Sequence, residues 1–248
     1  MSLLIACYKN ILESGTVTLS AGTEDSDYPL YRVYDRDIGM VFKITAAVTM
    51  EIKVDQGASG NIAIDQLLIP EGHNLDGMTL DWQYSDNDTA YTPAVSQWVQ
   101  SGSGLINKSL SSAAHRYWKF IITTPASVPQ IAEIFMTPAY TWERNPSRPA
   151  GPFDDRFNVE RMEDAGGHVR FLEHGDSRRY RNYQLPRAVS GQRTNIEALY
   201  DAWAGKKPFW IKDHEGNWIF GELISPLNLI EQSSNKHSFN FEFQEVLP

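Results

Sequence analysis

Few residues in this chain stand at a spacing that chemistry would need. His214 followed by Glu215 begins like the zinc-protease pattern H-E-x-x-H, in which two imidazoles one helical turn apart hold the metal. The second histidine would fall at position 218, which is Trp218, so the pattern is broken. Cys7 lies in the apolar run LLIAC with no histidine beside it, and such a setting leaves a thiol protonated and inert. No G-x-S-x-G, P-loop or dinucleotide fingerprint occurs, and Ser101-Gly-Ser-Gly104 reads as a loop. Three carboxylate pairs are present: Asp35/Asp37, Asp86/Asp88 and Asp154/Asp155. They would serve glycoside hydrolysis only if two members faced each other across a cleft. Neighbours in a turn rarely do, so solvated turns are expected, with a calcium site of loop oxygens around Asp35, Asp37 or Asp86 as the alternative. No catalytic set can be assembled, and no enzyme, cofactor or resident metal is expected.

Binding chemistry is better represented. Sugars are held where an aromatic face stacks on the ring and a few polar groups take the hydroxyls. The segment from Asp86 to Trp98 offers Asp86, Asn87, Asp88, Tyr91 and Trp98 in one loop-rich stretch. The competing expectation is that Tyr91 and Trp98 pack against the fold or a neighbouring subunit. A second group is the basic run Arg178, Arg179 and Arg181, with Arg187 and Arg193 nearby. It reads as a solvated strand face, or as a contact with an acidic partner subunit or nucleic acid. The net charge of −9 argues against a general polyanion binder and against sequence-specific nucleic-acid recognition.

These residues need elements to position them. With 248 residues, 42% apolar and 21% charged, the chain can bury one large core or two small ones. A single cysteine excludes an internal disulfide. The start MSLLIACYKNILESG has no basic lead and breaks at Lys9 and Asn10, so no signal peptide or membrane span is expected, and folding in a reducing cytoplasm is. TPAYTWERNPSRPAGPF holds four prolines and reads as an extended linker over 141–160. Before it, over 1–140, apolar runs are short and alternate. In MEIKVD, Ile52 and Val54 point one way; in WKFIITT, Trp118, Phe120 and Ile122 do. That pattern without intervening amphipathic helices predicts an antiparallel β-sandwich. After it, over 161–248, TNIEALYDAWAG predicts a helix with a Thr194/Glu197 capping box, an apolar stripe of Ile196, Leu199, Tyr200 and Trp203, and Gly205 past its end. PFWIKD and WIFGELIS around HEGN predict a hairpin, and HSFNFEFQEV a strand with Phe239, Phe241 and Phe243 on one face. The fold class expected is mainly β: a sandwich plus a small α+β unit with one packed helix.

Seven segments of the first half occur in an order that resembles the galactose-binding-like, or discoidin-type, jelly roll. They are Asp35-Arg-Asp37, Ile52-Lys-Val-Asp-Gln-Gly57, Leu67-Leu-Ile69, His73-Asn-Leu-Asp-Gly77, Tyr84-Ser-Asp-Asn-Asp88, Arg116-Tyr-Trp-Lys-Phe120 and Ile131-Ala-Glu-Ile134. The match covers about residues 25–137, and Val41-Phe42 stands where that family often carries a tryptophan. Gly57, His73, Asn74 and Arg116 are expected to define the fold by turning and capping backbone. The second half, about residues 165–247, resembles bacteriophage tail-tip proteins, the distal tail and minor tail components. The resemblance rests on Trp203-Ala-Gly-Lys-Lys-Pro-Phe-Trp210, the hairpin from Asp213 to Gly221 and the last Phe-rich strand. It implies a tail-tube-like domain whose sheet joins copies of itself in a ring, commonly a hexamer, with Arg178, Arg179, Arg181, Trp203, Trp210 and Trp218 at its interfaces. It further implies tail tube, hub and tape-measure partners, and a place in the virion tail tip after assembly in the host cytoplasm. In many such proteins the tube-like domain comes first, whereas here the sandwich is read as preceding it. Under either resemblance a host-surface glycan remains a possible ligand, and a carbohydrate-binding module without catalysis is the alternative function.

Overall fold

The computed structural model describes residues 3–58, 61–123, 125–142, 145, 154–156, 159–163, 169–173, 178–188, 190–203, 207–225, 228–233 and 236–246. In chain order the elements begin with β1 (Ile5–Cys7), α1 (Ile11–Ser14), β2 (Thr16–Ala21), a 3-10 turn (Leu30–Val33), β3 (Phe42–Lys43), β4 (Met50–Asp55) and β5 (Ile64–Ile69). There follow β6 (Thr79–Ser85), β7 (Thr92–Pro93), β8 (Trp98–Val99), β9 (Ile106–Ala113), β10 (Tyr117–Thr123), β11 (Gln130–Ile131), β12 (Phe135–Thr137) and β13 (Tyr140–Thr141). The remainder are β14 (Asp154–Arg156), β15 (Val159–Glu163), β16 (Val169–Glu173), β17 (Arg178–Ala188), α2 (Ser190–Trp203), β18 (Phe209–Lys212), β19 (Trp218–Leu223), β20 (Asn228–Ser233) and β21 (Lys236–Glu245). Two units result: Cys7–Tyr140, and Met1–Ala6 with Thr141–Leu247.

Strict alternation decides the first unit. Strand β10 lies antiparallel between β4 and β6, so that Phe120 stands opposite Ile52 on one side and Trp82 on the other. One sheet runs β2-β4-β10-β6-β7, with β8 also on β6; β12-β5-β9 and the pair β11-β3 complete the sandwich. Inward residues of both layers, among them Ile52, Trp82, Trp118, Phe120, Leu67 and Met136, form one buried cluster. Trp82 and Trp118 meet at 5.4 Å. Burying a side chain such as Phe120 stabilises the fold by about 1.5–3 kcal/mol. Phe42, in the place where the resembled family carries tryptophan, is fully buried in this cluster.

The ordered motifs of the first half meet one another in space. Asp55 accepts a bidentate pair from Arg116, at 2.7 and 2.9 Å, tying the end of β4 to the start of β10. Gly57 turns the chain there at φ +81° and donates its N–H to the same carboxylate at 2.8 Å. His73 Nδ1 accepts from Leu75 N at 3.2 Å, so the ring proton sits on Nε2 and is donated to the Gly104 carbonyl at 2.9 Å. Asn74 exchanges hydrogen bonds with Val128 O and Gln130 N, at 2.8 and 2.7 Å. Arg116, His73 and Asn74 thereby join segments distant in sequence, while Gly57 shapes the local turn.

The second unit is a sheet in the order β13-β1-β18-β19-β21-β17-β14, with β20 also on β21 and β15–β16 a separate hairpin. The β18–β19 hairpin turns through Gly216 at φ +98°. Phe239, Phe241 and Phe243 are buried on one face, with Tyr183 at 5.2 Å from Phe241 and Phe209 edge-on to Phe243 at 5.3 Å. Helix α2 sets Ile196 and Leu199 over this face, around a small apolar cavity shared with Trp142, Ile211 and Leu223.

Three expectations are revised. Strand β1 (Ile5–Cys7), read from sequence as part of the sandwich, pairs into the second unit's sheet, so the sandwich is inserted after that sheet's first strand. The segment expected as linker contributes β14, which pairs with β17, while residues 146–153 lie outside the described ones. Helix α2 starts at Ser190, before the expected cap, and Glu197 is engaged by Arg193 at 2.7 Å across one turn, not by a capping box at Thr194. Gly205 lies outside the described residues.

Gly221 is where the second sheet is least tolerant: a Cβ there would overlap the Gln244 carbonyl and the Phe243 ring. Gly221→Ala is expected to cost about 1–3 kcal/mol through overpacking, read as a lower urea midpoint with an unchanged slope.

Candidate functional site

Outward residues of the β10-centred sheet form a polar face. Alternation sends Gln83, Lys119 and Lys53 to one side in a single cross-strand row, and Asp81, Ile121 and Glu51 in the next. The segment after β6 turns back beside this face. Asn87 Oδ1 accepts from Thr89 N and Ala90 N, each at 3.0 Å, which shapes the turn. Asp88 then adopts φ +59°, one of two non-glycine residues with positive φ among those described. That left-handed geometry is unfavourable for a side chain. It sets the Asp88 carboxylate 2.8 Å from Lys53 Nζ, and within hydrogen-bond reach of the Tyr91 hydroxyl, which donates to it.

The ring of Tyr91 is half-buried and fixed from two sides. Lys119 Nζ lies 4.1 Å from its centroid and 3.1 Å from Glu51 Oε2. Glu51 also accepts from Ser20 Oγ at 3.1 Å. Further along, Arg116 pairs with Asp55 and covers the Tyr117 ring at 4.7 Å. Lys53, Lys119 and Arg116 are each matched by a carboxylate, so these three pairs carry no net charge. The hydrogen bond from Lys53 holds Asp88 below the usual carboxylate range, and that from Arg116 does the same for Asp55. Burial, then the hydrogen bond to Asp88, pushes the Tyr91 phenol up.

The five residues expected to hold a sugar are thus divided. Asp88 and Tyr91 come together; Asn87 is spent on its turn. Asp86 meets His115 Nδ1 at 3.0 Å, and that imidazole stacks on Tyr84 at 3.8 Å. Trp98 packs on the edge of the core, with Lys108 Nζ 4.5 Å above its ring and its N–H donated to Gln100 at 3.4 Å. Lys53, Lys119, Glu51 and Gln83 were missed by sequence reasoning. Their signal was the outward half of the same alternation that located the core. Asp35 and Asp37 cap their own turn, accepting from Asp37 N and Gly39 N at 2.9 and 3.0 Å. Among the described residues no group of three or more His, Cys, Asp or Glu is placed to hold a metal ion. Cys7 is buried, and burial raises its thiol pKa far above the ordinary value.

Two of the residues expected at subunit interfaces, Arg181 and Trp210, are interior to their own unit. Arg181 is buried against Asp213 at 3.3 Å, and Asp213 additionally accepts from Glu215 N and Asn217 N at 2.9 and 2.8 Å. Arg181 therefore serves the hairpin of its own sheet. Trp210 is buried against Phe220 at 5.1 Å. Arg179 pairs with Glu245, its Nε 2.7 Å from Oε2. Trp218 is partly exposed, with Lys212 Nζ 5.6 Å from its ring centroid. The side chains of Arg178 and Trp203 lie outside the described residues.

No protein-family model matches the chain, and no curated protein matches it. Solved structures similar to it include a chitosan-binding module of a Paenibacillus chitosanase/glucanase, 14% identical, with TM-score 0.45 over 53% of this chain and 98% of that one. The family 32 carbohydrate-binding module of C. perfringens NanJ, in complex with galactose, is 13% identical, with TM-score 0.44 over 55% of this chain and 99% of that one. A Ruminococcus gnavus GH29 fucosidase in complex with fucose is 18% identical, with TM-score 0.44; the match spans 53% of this chain but 27% of the fucosidase.

Asp88 is expected to set the titration of Tyr91. In Asp88→Asn the acceptor charge is gone, so one tyrosine should ionise at lower pH than in the parent when phenolate absorbance is followed. Identical titration curves would show that the two side chains do not interact.

Proposed function

We propose that the protein is a non-catalytic glycan-binding protein whose contact surface is the outer sheet face around Tyr91. The observation that carries this reading is the fixed geometry of that ring: half-exposed, tethered through its hydroxyl to Asp88 and covered on one side by Lys119. A pyranose presents C–H groups to an aromatic face and hydroxyls to its rim, and Gln83, Glu51 and Lys53 supply rim groups in the same two rows. Groups already locked by mutual pairing lose little freedom when a ligand arrives, which favours binding. The same locking argues against catalysis, since Asp88 and Asp55 are each committed to a cation and neither faces a second acid in an open cleft.

A second reading is favoured by the other unit. Its eight-stranded sheet has path ends at β13 and β14, strands of two and three residues. The ends of a sheet are where strands of further copies can add, and the short length of these two limits what each contributes. On this reading the protein is a structural component of a phage or prophage-derived tail tip or baseplate. Its sheets form a ring, a hexamer on this reading, that joins tail tube to hub beside the tape-measure protein. The sandwich then docks receptor-binding parts or a host glycan, and the protein resides in the virion.

Two measurements separate these readings. A glycan array followed by calorimetry should find a ligand whose affinity drops about tenfold, or ~1.4 kcal/mol, in Tyr91→Ala, while Trp98→Ala retains it; absence of any glycan ligand sinks the first reading. Sedimentation velocity of the full chain should show a closed oligomer if the second reading holds, and a monomer at every concentration counts against it.

A further inference from the structure

Glu133, between β11 and β12, is fully buried. Its Oε2 accepts the backbone N–H of Arg36 at 2.7 Å, and its Oε1 has only a long 3.4 Å contact from Asn10 Nδ2. Among the described residues no guanidinium or ammonium touches it. The nearest cation, the Arg36 side chain, is directed elsewhere. Its Nε pairs with Glu13, its Nη2 donates to Tyr8 O at 2.8 Å, and its plane covers the Phe135 ring at 5.2 Å. Charged groups facing Glu133 are Arg36 and Asp35 from the loop after the 3-10 turn and Glu13 from α1. Asp35, Glu13 and Glu133 therefore lie in the field of one guanidinium, whose Nε is paired with Glu13.

The surrounding backbone is held with some strain. Arg36 stands at φ +66°, a conformation that costs a non-glycine residue energy. Asn10 caps α1, accepting from Leu12 N and Met136 N and donating to Ile134 O at 2.7 Å. Glu133, Asn10 and Arg36 thus clasp three segments: the chain's entry into the sandwich at 8–13, the loop at 35–37 and strand β12. An isolated carboxylate in such a place would pay a large desolvation penalty.

We propose that Glu133 is a protonated latch: it holds this seam as a neutral carboxylic acid, and the seam loosens as pH rises and the buried acid gives up its proton. Burial is the main cause raising its pKa well above the ordinary 4.5; the Arg36 N–H and the Arg36 charge oppose the rise, and Asp35 and Glu13 add to it. The sign follows from linkage. A group with a raised folded-state pKa binds its proton more tightly when folded, so its contribution is complete below 4.5 and is lost as pH climbs from there through the folded pKa.

Glu133→Gln keeps the shape and the acceptor for Arg36 N–H but cannot ionise. Urea unfolding of the full chain from pH 4.5 to 9 should show the parent's unfolding constant rising relative to the variant's by about tenfold per pH unit, with a plateau once the folded pKa is passed. A parallel measurement guards against a variant that fails to fold: carboxyl carbon-13 shifts of the parent should show one glutamic acid still protonated at pH 5.5, where ordinary glutamates have ionised. Parallel stability profiles for the two proteins, or a full set of glutamates ionised by pH 5.5, would overturn the proposal.

Discussion

Placement of β10 between β4 and β6 is the constraint on which the sandwich and its candidate face both depend. A strand of period two can satisfy two environments at once, and a slip of one residue would exchange them. In this register Trp118, Phe120 and Ile122 face Val54, Ile52 and Met50 across one seam and Tyr84, Trp82 and Leu80 across the other. The same register leaves Lys119 beside Lys53 and Gln83 outside. Core and polar face are therefore two readings of a single pairing, and neither can be altered without the other.

Charge is handled differently in three places. On the outer face, Lys53, Lys119 and Arg116 each meet an acid while remaining partly solvated, so the pairs orient side chains more than they stabilise the fold. In the second unit, Arg181 and Asp213 are buried together, and the loop amides of Glu215 and Asn217 share the carboxylate. Such a pair specifies the hairpin because removing one partner strands the other. At Glu133 the protein buries an acid with no cation in contact, and neutrality is reached by a proton. The face pairs keep access to water, whereas Arg181–Asp213 and Glu133 are both buried and differ in whether a cation is in contact among the described residues.

Insertion of the sandwich after the first strand of another sheet gives the architecture a consequence for folding. Strand β1 is made early in the chain, yet β18, its partner, begins at Phe209. That pairing closes only after the whole sandwich has been traversed, so it is a high-contact-order step. The clasp of residues 8–13 by Asn10, Glu133 and Arg36 holds the near end of that long connection.

Much of the fold was legible because alternation is local. MEIKVD, YWKFIIT and HSFNFEFQE declare their buried faces within single strands, and Asp-His-Glu-Gly-Asn declares a turn; each feature needs only nearest neighbours along the chain. The site was less legible. Asp88 and Tyr91 could be named from residue type, but their partners Lys53 and Lys119 come from strands far away in sequence. Arg181 and Trp210 looked like surface chemistry by type and proved interior, since burial depends on what packs over a strand. The capping motif at Thr194 was overridden by a helix starting earlier. The amino-acid sequence by itself determined strand periodicity, the turns and the absence of any complete catalytic motif, all properties of consecutive residues. Tertiary structure alone decided which charges meet, that strand β1 serves the second sheet, and that Glu133 lies buried without a cation in contact among the described residues. Those outcomes rest on distances between segments the chain order does not specify.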